Sequence, residues 1–177
     1  VIFPDGTRKE AKPLGADFDR DAAMVQITEE GSYPFVELGD SDELKRNQWC
    51  VALGHPGGFD PTRTPPIRLG RVLRTQEFVV TDCAVVGGDS GGPRFDVSGN
   101  LIGIHSNIGA TLSENRHVPV EVYAEQWETM KEGKRTGTRF AGTPGSRQRI
   151  DPDRAVMGVQ LGEPGEGGGV TVSGVSE

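Results

Sequence analysis

The 177 residues hold only two cysteines, Cys50 and Cys83. Two cysteines cannot make a multi-bridge disulfide framework, and they lack the close spacing of a metal knuckle. They read as two small buried apolar residues rather than a bridge. Aromatic residues are 6% of the chain and hydrophobic residues 34%, so a core is available but not a generous one. No run approaches the ~20 apolar residues that cross a bilayer, and no basic-then-apolar leader is visible. Because Val1 opens inside what reads as a strand, that missing leader carries no argument. Positive charge is in deficit: the net charge of -7 argues against general nucleic-acid affinity, which needs clustered Lys and Arg. The charge is uneven, with 12 basic and 20 acidic side chains in residues 1–130 against six basic and one acidic in 131–150. That basic run reads as a solvated linker. Asp40, Asp42 and Glu43 lack the remaining ligands of a calcium loop and read as a solvated turn. No metal and no cofactor are expected. Histidine is scarce as well: His55, His105 and His117 are the three present, and none precedes Asp21.

What is abundant is turn chemistry, with 26 glycines and 12 prolines. Many glycines and prolines between short apolar runs favour an all-β architecture. The run Val1 to Thr7 reads as a strand end and an Asp5-Gly6 turn. A strand through Lys12 and Leu14 follows, then one over Ala22–Ile27, where Ala22, Met24 and Gln26 share one face and Ala23, Val25 and Ile27 the other. Trp49–Leu53 is an apolar strand stopped by Gly54-His55-Pro56-Gly57-Gly58. Further strands are expected at Ile67–Arg74, Glu77–Val80, Pro93–Asp96, Leu101–Ser106 and Arg116–Val120, with a hairpin turn at 97–100. A helix is expected over Glu121–Lys131, its apolar face made by Tyr123, Trp127 and Met130. Residues 131–152 read as a linker, followed by two strands, 155–161 and 169–175, around a Gly-rich loop. That loop leads into a strand rather than a helix, which argues against dinucleotide binding.

The most informative stretch is Gly87-Gly88-Asp89-Ser90-Gly91-Gly92-Pro93. Acyl transfer needs a serine on a tight, exposed turn and backbone N–H groups aimed at the developing oxyanion. Glycines on both sides let the backbone take that shape and let a substrate approach. An ordinary Gly-rich turn is the plainer reading; the strand that follows also separates this run from the strand-to-helix elbow of α/β-hydrolases. The longer run Thr81 to Pro93 resembles the nucleophile segment of trypsin-like serine proteases, in particular the HtrA/Deg family. Three further segments resemble the same family in the same order: Asp21–Ile27; Leu38–Leu44 continuing to Val51–Gly58; and Gly99–Ile104.

The fold that this resemblance implies is a chymotrypsin-like double β-barrel, its N-terminal barrel incomplete, with a short C-terminal helix and then a partial PDZ-like segment. The boundaries are 1–130 for the trypsin-like serine protease domain, 131–152 for the linker and 153–177 for the start of a PDZ-like domain, a module that binds extended peptides at a sheet edge. The activity implied is that of a serine endopeptidase working through an acyl-enzyme on unfolded or extended proteins. Ser90 is then the nucleophile and Asp21 the acid that orients histidine. The N–H groups of Gly88 and Ser90 form the oxyanion hole. Ala84 sits at the base of the specificity pocket, and Ser106, Asn107 and Ile108 are candidates for its walls. A neutral base at Ala84 implies preference for small or aliphatic side chains, since burying an unpaired Lys or Arg charge is costly. Ser106 falls where the family places a serine that bonds the aspartate. The family also implies protein or peptide substrates, a homo-oligomer, work outside the cytoplasm and a role in protein quality control.

The sequence departs from the family at two points. The family's order is His, Asp, Ser, yet His55, His105 and His117 all follow Asp21, and each has a bland reading in a turn or strand. Either the histidine lies upstream of Val1, which is the expectation here, or the protein is a pseudoprotease that binds peptides without cutting them. Without a base a serine hydroxyl is a poor nucleophile. The second departure is Asp89, where HtrA-like proteases commonly carry Asn. In trypsin-like enzymes that Asp pairs with a freed N-terminal amine; a pair with an Arg or a backbone hydrogen bond is the alternative.

Overall fold

The computed structural model describes residues 1–109, 111, 113–138, and the strands at 160–164 and 170–174. The described chain divides into two compact units, one built from Val1–Ser32 with Gln126–Ser176 and the other from Tyr33–Glu125.

In the first unit, β1 (Ala11–Asp17) and β2 (Ala22–Ile27) form an antiparallel hairpin. Its loop is stabilised as the turn-rich sequence suggests: Asp17 Oδ1 accepts the N–H groups of Asp19 and Arg20 at 3.0 and 3.2 Å. A side-chain oxygen thereby replaces the ladder partners that a tight bend removes. The two-residue strand β9 (Arg135–Thr136) pairs parallel with β1 and completes a three-stranded sheet, order β2-β1-β9. Residues 135–138, read from composition as linker, are thus tied to structure: Thr136 and Lys134 carbonyls accept the Phe18 and Ala16 N–H groups, and Thr138 N–H donates to Asp19. In the expected PDZ-like segment, β10 (Gln160–Pro164) and β11 (Val170–Gly174) pair antiparallel. The rest of 139–177 lies outside the described residues, including most of the expected linker.

The second unit is a closed six-stranded barrel, order β3-β4-β5-β8-β7-β6. Its strands are β3 (Trp49–Leu53), β4 (Ile67–Thr75), β5 (Val79–Thr81), β6 (Pro93–Asp96), β7 (Leu101–Ile108) and β8 (Asn115–Pro119). Every strand expected here is present: Trp49–Leu53 and Pro93–Asp96 have the expected ends, and the others shift by one or two residues. Closure follows from the alternation of the strands: Cys50 and Ala52 on β3 and Val72 on β4 are fully buried, while Trp49, Ile67 and Leu69 on the other face are exposed. Leu44, Cys50, Val72, Val79 and Ile102 form the apolar core. Cys50 and Cys83 are both buried and unbridged, as read from the sequence.

The helix α1 (Val120–Lys131) begins one residue earlier than expected. Its buried residues are Val120, Val122 and Met130, whereas Trp127 is 48% exposed. The face expected from Tyr123, Trp127 and Met130 is therefore corrected. The chain enters the helix directly from β8, and the two valines at the junction keep the buried side of that strand. Glu121 caps an incoming loop, its Oε1 accepting the Ser41 N–H at 2.6 Å. Burial raises its pKa, as do the nearby Asp42 and Asp40 charges, against the bond from Ser41.

Candidate active site

The loop that joins β5 to β6, residues 82–92, carries the Gly87–Pro93 run, and its backbone is held from several sides. Asp89 N–H donates to Val86 O at 3.1 Å and Gly92 N–H to Asp89 O at 2.9 Å, which folds the turn on itself. Gly91 N–H donates to His105 O at 2.9 Å and His105 N–H to Gly92 O at 2.8 Å, which fastens the turn to β7. Gly57 N–H donates to Gly87 O at 2.8 Å, fastening it to the Pro56-Gly57-Gly58 loop. Gly88 has φ of +93°, and a Cβ there would collide with the His55 carbonyl and the Gly58 amide. Glycine is required at this position on both counts. The amides of Asp89, Gly91 and Gly92 are consumed by these bonds, whereas those of Gly88 and Ser90 make no hydrogen bond among the described residues.

Ser90 is exposed at the tip of the turn, and its Oγ donates to the Ser106 carbonyl at 3.2 Å. Ser106 is available because of a bulge: His105 faces His117 on β8 while Asn107 faces Arg116, which leaves Ser106 as the extra residue. A bulge re-aims the groups of the extra residue away from the ladder. Asn107 Nδ2 donates to Ser106 Oγ at 2.8 Å. The structure thus brings Ser90, Ser106 and Asn107 together. Ile108 lies at the end of β7 opposite Asn115 and is 40% exposed. Asp21 belongs to the first unit, at the end of the β1–β2 loop, with φ of 56°. Aspartate tolerates this left-handed region better than most residues.

Asp89 is where sequence left two readings open, and the structure pairs it with an arginine. Arg68 on β4 reaches it with both terminal nitrogens, Nη1 to Oδ2 at 2.6 Å and Nη2 to Oδ1 at 2.8 Å. Oδ2 also accepts the Val86 N–H at 2.8 Å. The Asp89 side chain is fully buried and that of Arg68 is 20% exposed. Burial alone would raise the carboxyl's pKa, but the Arg68 hydrogen bonds, the Val86 N–H and the Arg68 charge outweigh it and hold it below the usual range. Arg68 is shifted up in turn, chiefly by its bonds to Asp89. Gly54 makes room for the carboxylate: a Cβ there would strike Asp89 Oδ1. The same Arg68 Nη1 donates to the carbonyl of Ala84 at 2.9 Å, so one guanidinium spans the residue expected at the pocket base and the residue before Ser90.

Behind the turn lies a polar chain that the sequence did not announce. Arg94 on β6 is wholly buried. Its Nη2 donates to Thr81 Oγ1 at 2.8 Å and to His117 Nε2 at 2.7 Å, and its Nη1 lies 3.3 Å from Cys50 Sγ. Arginine only donates, so His117 Nε2 accepts and its proton sits on Nδ1. That proton faces His105 Nδ1 at 2.9 Å, which leaves the His105 proton on Nε2, donated to the Leu53 carbonyl at 3.1 Å. One guanidinium therefore sets both tautomers. Burial, then the Arg94 charge, lowers the His105 pKa from 6.5 to about 4 and that of His117 well below 6.5. Both imidazoles are neutral structural groups at neutral pH. Strand periodicity could place Arg94 on the inner face, but nothing in a single arginine says that two histidines wait there.

Comparison with known proteins identifies the family and the fold. The trypsin-like peptidase domain family matches residues 1–104. A probable periplasmic serine endoprotease, DegP-like, from Ectopseudomonas mendocina (strain ymp) is 39% identical over 146 residues, 77% of this chain and 31% of its own length. A relative with the same description from Marinomonas sp. (strain MWYL1) is 42% identical over 113 residues, 61% of this chain and 24% of its own. Among solved structures, the HtrA-type protease AlgW with a tripeptide superposes with a TM-score of 0.65 at 27% identity, covering 75% of this chain and 47% of that one. The chain thus spans about a quarter to a third of the length of the curated relatives cited here. The matching family domain covers more than half of the residues, and the chain belongs to the trypsin-like peptidases, with relatives and structural neighbours of the HtrA/Deg type.

Proposed function

We propose that the protein is a serine endopeptidase that cleaves peptide bonds in extended or unfolded protein segments through an acyl-enzyme on Ser90. The observation that carries the reading is the Ser90 turn. Its neighbouring amides are engaged in holding its shape, while the N–H groups of Gly88 and Ser90 make no hydrogen bond among the described residues and are assigned here to the substrate oxyanion. Asp21 takes the role of orienting acid by its place in the family pattern. No histidine precedes Asp21 in the 177 residues, and the reading requires that the full-length protein supply the base. Ser106 and Asn107 flank the nucleophile and serve the substrate path. The 153–177 segment is read as the start of a PDZ-like peptide-binding module. Work outside the cytoplasm follows the description of the relatives as periplasmic, and no helix among the described residues is long and apolar enough to cross a membrane.

The reading is tested by exposing the full-length protein to a fluorophosphonate probe and mapping the adduct by mass spectrometry, alongside digestion of an unfolded protein. An adduct on Ser90 together with cleavage is the expected result; a protein that neither labels nor cuts defeats it.

A second expectation concerns specificity. Ala84 offers a methyl group at the proposed pocket base. The acids nearest in sequence are engaged elsewhere, Asp89 by Arg68 and Asp82 by the Arg71 N–H. A lysine or arginine side chain entering there would lose hydration without a partner. Cleavage after Val, Ala or Leu is expected to exceed cleavage after Lys or Arg by roughly 100-fold in kcat/KM. A peptide library dominated by basic residues at the cleaved position would overturn the assignment of Ala84.

A further inference from the structure

We propose that Arg68 is the positioning residue of the active site, a built-in cation that holds the nucleophile turn and the pocket base in one fixed relation. The inference rests on the peptidase reading of Ser90 and goes beyond it.

Three observations support it. The guanidinium grips both oxygens of Asp89 with its two terminal nitrogens, a fork-to-fork arrangement that fixes orientation as well as distance. The carboxylate so held is fully buried and also accepts Val86 N–H. Asp89 therefore cannot rotate without stranding a charge, and its backbone is the part of the turn that places the amides of Gly88 and Ser90. Finally, Nη1 is shared with the Ala84 carbonyl at 2.9 Å. The pocket base and the oxyanion turn are six residues apart along the loop, and Arg68 cross-links them from a different strand. That strand is anchored in the barrel: β4 pairs with β3 over five residues, and Arg68 itself sits opposite Ala52, which is fully buried. Arg68 touches no reacting atom. It acts through Asp89, doing from within the barrel what a freed terminal amine does in enzymes that must be cut to become active.

Two kinds of readout separate this role from mere support of the fold. The first is amide hydrogen exchange over residues 86–92 in the full-length protein, which reports the order of the turn whether or not catalysis is measured. Arg68→Ala is expected to speed exchange there by at least about tenfold relative to the rest of the barrel. The second is kinetic. Arg68→Ala is expected to lower kcat by about 100-fold, the scale of a misplaced oxyanion donor, with KM changed by less than about threefold. Arg68→Lys, which keeps the charge but loses the fork, should fall between the two, and millimolar guanidinium should restore part of the Arg68→Ala turnover through the 20% exposed site. Should Arg68→Ala fail to fold, Arg68→Lys carries the same exchange and kinetic comparison. An N-terminal tag that blocks the amine should leave wild-type turnover within about twofold.

Unchanged exchange at 86–92 in Arg68→Ala, or in Arg68→Lys if the alanine variant does not fold, overturns the positioning role by itself. So does activity that appears only after N-terminal trimming. A wild-type protein whose turn is ordered through Arg68 but which neither labels nor cuts refutes the peptidase reading and leaves the exchange result to decide on Arg68.

Discussion

Ser90→Ala in the full-length protein is expected to lower kcat on an unfolded substrate by at least roughly 10⁴-fold while leaving Tm within about 1 °C of wild type. The two halves of that expectation come from different facts. Ser90 is exposed and its Oγ makes one bond, to the Ser106 carbonyl at 3.2 Å. Removing a hydroxyl from such a site costs the fold almost nothing, because water satisfies what is left. The turn itself is held by Asp89, Gly91, Gly92 and Gly87, none of which the substitution touches. In the proposed mechanism the Oγ atom is the attacking group: without it no acyl-enzyme can form, and only the proposed oxyanion donors and substrate binding would remain to accelerate hydrolysis. Activity assays and thermal melts on the same preparation check both halves. A variant that keeps more than about a hundredth of wild-type turnover would falsify Ser90 as the nucleophile.

Acid is expected to destabilise the barrel well above the pH at which carboxylates titrate. His105 is 3% exposed and His117 is fully buried, and the hydrogen bonds described above admit both only as neutral rings. A proton added to His105 Nδ1 would face the proton on His117 Nδ1. A proton added to His117 Nε2 would face Arg94. The folded-state pKa of His105 is depressed to about 4, against roughly 6.5 in the unfolded chain. The unfolded state therefore takes up the proton first. Stability is complete above about pH 6.5 and falls as the pH drops from there toward 4. Each unit of separation is worth about 1.4 kcal/mol, so His105 alone accounts for a loss of about 3 kcal/mol at the lower end, and His117 adds to it in the same direction. Urea titrations at pH 7, 5.5 and 4 should show the decline, and NMR should show the His105 ring shifts unchanged between pH 8 and 5. A flat stability over that window, or a ring that titrates near 6.5, would mean that the chain of bonds from Arg94 is not formed in solution. Because the His105 backbone bonds Gly91 and Gly92, loss of this network is also expected to disorder the Ser90 turn.

Much of this was legible from residues alone, and the reason is local. A strand needs only alternation, a stop needs only glycine and proline, and a nucleophile turn needs glycines at φ values other residues avoid. Trp49–Leu53, Pro93–Asp96 and Ala22–Ile27 were therefore read with the ends the structure gives them. The helix was placed within one residue, yet its buried face was misread, because Trp127 is large and apolar by type and half-exposed by position. Residues 135–136 looked like linker because a two-residue strand has no periodicity to show; its partner β1 is over a hundred residues away.

Composition and order along the chain determined the class of the fold, the family and the identity of the candidate nucleophile, since each depends on residue types at short spacing. Only the tertiary structure decided what surrounds that nucleophile. Asp89 had an amine, an arginine or the backbone as possible partners until β4 brought Arg68 across a separation of 21 residues. His105 and His117 were two unremarkable strand residues until the closing of the barrel set them ring to ring beside Arg94. Charge partners and tautomers are fixed by which side chains share a buried volume, and strands far apart in sequence come to share one only when the sheet closes on itself.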